Sequence, residues 1–220
     1  IAVVGRNGCG KTTLLKALCG ILPHSGTCML EQDVLEGLSA KQIAKLVSYI
    51  PQQSGISIDI SALDVVLMGF NPQLGLLEHP TKSMKSIAIQ ALEQVGLKGK
   101  EDMNYLHLSE GQKQLCILAR TIVSDSKLLL LDEHTAALDP KTAEKVLALT
   151  RDITARNNQT TVMITHNMKD AIEMGNKLIM MSEGKIIYTA SGEEKRNLTV
   201  DDLLKKFREI GQQNDRILLS

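Results

Sequence analysis

Tryptophan is absent from this chain, and tyrosine and phenylalanine bring the aromatic share to only 2%. That scarcity argues against aromatic platforms on which nucleic-acid bases would stack. Neither sign of charge is in excess: 25 basic and 25 acidic residues give a formal net charge of zero. No basic field is therefore available to attract nucleic acid or an anionic membrane. Apolar runs such as 128–131 are too short to span a bilayer. The opening strand also lacks the basic start and small-residue cleavage site of a signal peptide. Four cysteines (Cys9, Cys19, Cys28, Cys116) show no C-x-x-C spacing and no histidine partners at metal-ligand spacing. They read as reduced thiols filling small core sites. These absences together predict a soluble intracellular domain.

What is present is a strand–helix alternation. Residues 1–4 form a short β-branched run stopped by Gly5, and 11–19 place Leu14, Leu15 and Leu18 on one helical face before Gly20. Further strands are expected at 26–30, 47–50, in "KLLLLDE" and in "TTVMITH". A hairpin is expected in "KLIMMSEGKIIYTA", turning at Glu183-Gly184. Helices are expected at 40–46, 111–123, 140–156, 169–174 and 200–210, the fourth of these being short. The stretch 60–96 is helical, interrupted at "GFNPQLG". The pattern predicts an α/β fold with a parallel sheet flanked by helices, and an α-helical insertion in its middle.

Gly5-Arg6-Asn7-Gly8-Cys9-Gly10-Lys11-Thr12 matches G-x-x-x-x-G-K-[ST], with a strand before and a helix after. Glycines allow a tight turn whose N–H groups point at phosphate oxygens, beside the positive end of the following helix. Lys11 would reach the β- and γ-phosphates, and the Thr12 hydroxyl would ligate Mg²⁺. Thr13 follows in the same first helical turn. The alternative, a glycine-rich turn with a surface lysine, fits that context poorly. Far downstream, "LLLLDE" ends in Asp132, suited to the magnesium shell, and Glu133, placed to polarise a water. An acidic strand end on its own is more often a solvated terminus.

Between these motifs lies "LHLSEGQKQ", and the combination resembles the ABC-type ATPases, whose signature is L-S-G-G-Q. Glu110 departs at the third position. "YIPQQ" resembles that family's glutamine loop, with Gln52 the active member and Gln53 its neighbour. "AALD", ending at Asp139, resembles the D-loop, and His166 in "ITHN" the switch histidine. A histidine at a strand end is otherwise a cap or surface residue; the motif order favours function.

The resemblance implies a P-loop NTPase fold: one ABC ATPase domain over 1–220, with an ATP-binding core at 1–53 and 126–220. A helical subdomain carrying the signature would occupy 54–125. It implies ATP and Mg²⁺ as cofactors, Gln52, Thr12 and Asp132 near the metal, and Glu133, His166 and Gln52 as the catalytic set. Two subunits would meet head to tail, with Ser109, Gly111 and Gln112 of one closing on the ATP of the other. Glu110 is expected to turn away from that ATP, because like charge would weaken closure.

Further implied partners are transmembrane permease subunits and a solute-binding protein, with the chain peripheral on the cytoplasmic face. Most of an N-terminal antiparallel β region, including an adenine-stacking aromatic, is expected to be missing. The first half resembles ATPases of iron-siderophore, haem or cobalamin importers, and the second half those of amino-acid-like solute importers. That mixture fits either a recombined sequence or a divergent member. A soluble ABC ATPase acting on DNA or ribosomes, and an inactive remnant, are the alternatives. Cys9, in the loop near a helix N-terminus, is either a small filler or a reactive thiolate. His134 stands where the family often has proline and is given no role.

Overall fold

The computed structural model describes residues 1–52 and 55–218, with side chains described up to residue 209. Gln53, and the expected subdomain boundary at Ser54, lie outside the described residues. The chain folds into two compact units, residues 1–11 with 163–220, and residues 12–162.

In the first unit, β1 (Ala2–Gly5) lies between two parallel neighbours. One is the end of β6 (Thr160–Ile164) and the other is β7 (Lys177–Ser182). Strand β7 turns back antiparallel into β8 (Lys185–Ser191). The turn residues Glu183 and Gly184 both have positive φ, 48° and 74°. Two left-handed residues in a two-residue loop match the right-handed strand twist, as the Glu-Gly pair foretold. Helix α7 (Met168–Glu173) covers β1, and α9 (Val200–Leu218) packs on α7. The α9 helix runs well past the 210 expected from the sequence. Ala2, Val4, Ala171, Leu178, Met180 and Leu203 form the shared apolar core of this unit.

A short helix α8 (Gly192–Arg196), which periodicity did not announce, follows β8. It delivers Lys195 into that core. Lys195 is only 4% exposed, and its Nζ donates to the carbonyls of Ile172 at 2.5 Å, Met174 at 3.1 Å and Gly175 at 3.1 Å. These are carbonyls at the end of α7, which have no intrahelical partner. Burial pulls the Lys195 ammonium below its ordinary pKa, and the three acceptors are what keep a buried cation tolerable.

In the second unit, β4 (Val47–Ile50) pairs in parallel with β5 (Leu128–Asp132), Tyr49 opposite Leu130 and Ile50 opposite Leu131. Every residue of β5 is buried, as a continuous apolar run in a covered parallel sheet should be. Helix α1 (Lys11–Leu18) and helix α2 (Ala40–Leu46) fall where the pattern put them. The expected strand near 26–30 shrinks to β2 (Met29–Leu30), paired antiparallel with β3 (Asp33–Val34). The helical stretch resolves into α3 (Ala62–Leu67), a 3-10 turn, and α4 (Lys82–Gln94). Both pack on α5 (Glu110–Ser124), whose inner face includes Leu115, Cys116, Leu118 and Ala119. Helix α6 (Pro140–Arg156) carries proline in its first turn, where the missing N–H costs nothing.

Replacing Lys195 with methionine keeps the volume but removes the ammonium that donates to three carbonyls at the end of α7. This should lower unfolding free energy by on the order of 3 kcal/mol, read as a shifted urea midpoint with unchanged slope; an unshifted midpoint would mean water replaces the ammonium.

Candidate nucleotide site

In the first unit the glycine-rich loop leaves β1 and folds back on itself. Cys9 N–H donates to the Arg6 carbonyl at 3.3 Å. Gly8 and Gly10 have φ of +79° and +97°, a backbone region that glycine enters without penalty. Lys11 is only 5% exposed, and its ammonium donates to the Gly5 carbonyl at 3.0 Å and the Arg6 carbonyl at 3.1 Å. The β7–β8 turn holds the loop from outside, Gly184 N–H donating to the Cys9 carbonyl at 3.0 Å. A β-carbon on Gly5 would lie 2.5 Å from the Met181 carbonyl oxygen and 2.6 Å from Cys9 Sγ. That position must therefore be glycine.

Cys9 itself is buried, at 6% exposure, and its sulfur fills the space beside Gly5. Of the two readings of this thiol, the geometry matches the filler. His166 is exposed just beyond β6 and lines one cavity with Gly5 and Arg6. Asn7 lies exposed in the loop.

In the second unit, the residue after Lys11 meets the end of β5. Thr12 Oγ1 donates to Asp132 Oδ1 at 3.0 Å, and Tyr49 O–H donates to Oδ2 at 3.0 Å. Asp132 is 3% exposed, so its carboxylate has exchanged water for two charge-assisted hydrogen bonds, each contributing roughly 1.5–3 kcal/mol. Burial, and after it the charge of Asp132, raises the Tyr49 phenol above its ordinary pKa, so it stays protonated and donates. Sequence reasoning missed Tyr49; the signal available was its place two residues before the proline of the glutamine loop. Thr13 occupies the first turn of α1, and Gln52 is exposed beyond β4.

Glu133 follows with φ +49°, a left-handed conformation that costs a non-glycine residue about 1–3 kcal/mol. Its carbonyl accepts from Ala136 N–H at 2.9 Å, closing the turn that leads to α6. The next residue, His134, is 3% exposed, and neither ring nitrogen has a hydrogen-bond partner among the described residues. Burial lowers its pKa to about 4, so the ring is neutral at pH 7.

The signature residues start α5. Ser109 Oγ accepts from Gln112 N–H at 3.3 Å, and Gln112 Oε1 accepts from Ser109 N–H at 3.1 Å, a reciprocal capping box. The Ser109 hydroxyl oxygen is the acceptor in this cap. Glu110 is exposed, and its carboxylate is held by Lys113 Nζ at 2.7 Å. Gly111 is buried where α5 meets α6, and a β-carbon there would run into Thr142 Cγ2. Asp139 caps α6, accepting from Thr142 N–H at 3.1 Å, and those Thr142 bonds hold its carboxyl below the usual range. Signature and D-loop residues are thus tied together through Thr142.

Among the described residues no group of three or more His, Cys, Asp or Glu could hold a metal ion. A cation there would rely on Asp132, the Thr12 hydroxyl and ligand phosphates. Mg²⁺ is typically bound that way, through one or two carboxylates plus phosphate oxygens, so the donor set fits it.

Residues 1–136 match the model of the ABC transporter family. The chain belongs to that family. A tyrosine transport ATP-binding protein of Clostridioides difficile is 35% identical over 217 residues, covering 94% of this chain and 85% of the relative. A hemin import ATP-binding protein of Deinococcus radiodurans is 36% identical over 192 residues, covering 85% and 72%. An inward-facing structure of a putative metal-chelate type ABC transporter superposes with TM-score 0.76 at 31% identity, covering 94% of this chain and 76% of that one. A dimeric ATP-binding cassette bound to ADP and Pi shares the fold, with TM-score 0.74 at 24% identity over 86% and 84%. The chain is therefore an ABC-type ATPase, the ATP-binding subunit of a transporter, and nothing found favours the DNA or ribosome alternative. Among the described residues, no helix is long and apolar enough to cross a membrane.

The Gly111 packing gives a test whose sign is decided by the clash. In an open helix, Gly→Ala would stabilise by about 1 kcal/mol. Gly111→Ala should instead destabilise by roughly 1–3 kcal/mol in urea melts, and Thr142→Ser, which removes Cγ2, should restore the loss; a stabilised single variant would contradict the packing.

Proposed function

We propose that two copies of this chain close head to tail on two Mg-ATP molecules, and that hydrolysis drives solute import through a separate permease. The observation that carries the reading is the Thr12–Asp132 pair, which sets two hard oxygen ligands side by side, one on the residue that follows Lys11 and one at the end of β5. ATP phosphates would lie on the N–H groups of Gly8, Gly10, Lys11, Thr12 and Thr13. Lys11 would exchange its two carbonyl partners for β- and γ-phosphate oxygens. Arg6, Asn7 and Cys9 complete the loop. Mg²⁺, held by Thr12, Asp132 and Gln52, supplies charge neutralisation of the phosphates.

Glu133 acts as general base toward the attacking water, and His166 orients that water against the γ-phosphate. From the facing subunit, the Ser109 hydroxyl, the Gly111 amide and the start of α5 offer a second anion-binding surface, with Gln112 and Asp139 shaping it. Lys113 neutralises Glu110 at that surface, which softens the like-charge cost of the departure from L-S-G-G-Q.

Import, rather than export, is supported by the importer names among the relatives; a solute-binding protein and a peripheral place on the cytoplasmic face belong to the same proposal. The helical stretch 54–125 would dock the permease, with 1–53 and 126–220 as the ATP-binding core. One tyrosine-transport relative matches across both halves of the chain, which favours a divergent member over a recombined sequence.

Glu133→Gln removes the base but keeps the shape. Turnover should fall about 10²–10⁴-fold, while size-exclusion chromatography with light scattering shows an ATP-dependent shift from monomer to dimer. A variant that keeps turning over ATP and stays monomeric would overturn both the base assignment and the sandwich.

A further inference from the structure

A cavity of about 360 Å³ opens in the first unit on the face of β1 opposite the glycine contact with Cys9. Alternation along the strand puts it there: Gly5 faces Met181 and Cys9, and Val4 faces the core shared with Ala171 and Leu203. Its walls are apolar, made by Val4, Met168 on α7, and Leu204 and Phe207 on α9. Cationic groups complete the lining. Arg6 and Arg208 both border the cavity with His166, all three are exposed, and neither arginine has an ion pair among the described residues. Among the described residues no aspartate or glutamate lines it. The volume lies at the lower end of the range for small-molecule sites, which pair apolar walls with a few polar anchors.

We propose that this cavity binds a small organic carboxylate with an apolar or aromatic body, and that its occupancy restrains His166. The body fills the space against Phe207 and Met168. The carboxylate accepts from guanidinium N–H groups, whose planar fork matches two oxygens at once. A bare phosphate leaves the apolar walls without a partner, so the organic body is what gives the site its selectivity. Because His166 lines the same cavity, a bound carboxylate draws its ring toward the ligand and away from a γ-phosphate. The restraint on hydrolysis rests on the reading of His166 given above, whereas the binding itself does not.

The test separates the two. Calorimetric titration of the full nucleotide-free chain uses 3-phenylpropionate, its neutral amide, and inorganic phosphate. The carboxylate should bind with a Kd of about 1 mM or tighter, and the amide roughly tenfold or more weaker. Arg208→Gln should weaken the carboxylate by a similar factor and leave Mg-ATP affinity unchanged, with Arg208→Lys recovering part of the loss. Equal affinity for the amide, or phosphate binding as tight as the carboxylate's and weakened by Arg208→Gln in the same way, or no heat with the carboxylate, would overturn the site; phosphate heat indifferent to Arg208→Gln belongs to the glycine loop. In ATPase assays, 3-phenylpropionate should slow the wild type and spare Arg208→Gln. Binding without any change in turnover would overturn the restraint on His166 and leave the phosphate-loop reading standing.

Discussion

A carboxylate taken out of water must be repaid on the spot, and Asp132 sets that demand at the end of the most buried strand. Leu129, Leu130 and Leu131 are fully buried, each contributing roughly 1.5–3 kcal/mol, and they carry Asp132 into a place solvent barely reaches. Two hydroxyls meet it there, Thr12 from the start of α1 and Tyr49 from the paired strand β4. The helix that follows the glycine loop and the strand that precedes the glutamine loop are fixed by one carboxylate. The Thr12 and Asp132 oxygens that settle this packing are the same ones proposed above to hold Mg²⁺, so fold and proposed chemistry would share one set of atoms.

The signature region shows a similar economy. Ser109 and Gln112 cap α5 reciprocally, Asp139 caps α6, and Gly111 lets the two helices approach through Thr142. Residues that family likeness assigns to a partner's nucleotide therefore already hold the local backbone in place. A substitution among them disturbs the helix start and the anion-binding surface together, so stability and turnover have to be measured side by side.

Much of this was legible in the sequence because its signals are local. The loop spacing, the all-apolar run before Asp132, the Glu183-Gly184 turn and the proline at the start of α6 each act within a few residues. The contacts that could not be read are those between distant residues. Tyr49 and Asp132 are separated by 83 positions, and Thr12 and Asp132 by 120. Lys195 reads as one cation in a charged run until α8 turns it inward onto the α7 carbonyls. Gly111 read as a phosphate-facing glycine, and its steric reason, Thr142, lies on another helix. Strand β2 shrank to two residues, because a stretch with little apolar surface to bury gains little from pairing.

Mg²⁺-dependent ATP affinity tests the central claim most directly. Equilibrium binding of ATP to wild type and Asp132→Asn is measured with Mg²⁺ and with chelator. The account predicts that Mg²⁺ tightens ATP binding to the wild type and that the variant, which keeps the shape but loses the charge, shows no such tightening. Full Mg²⁺ dependence in Asp132→Asn would contradict the account, since the buried carboxylate would then not be the group that holds the metal.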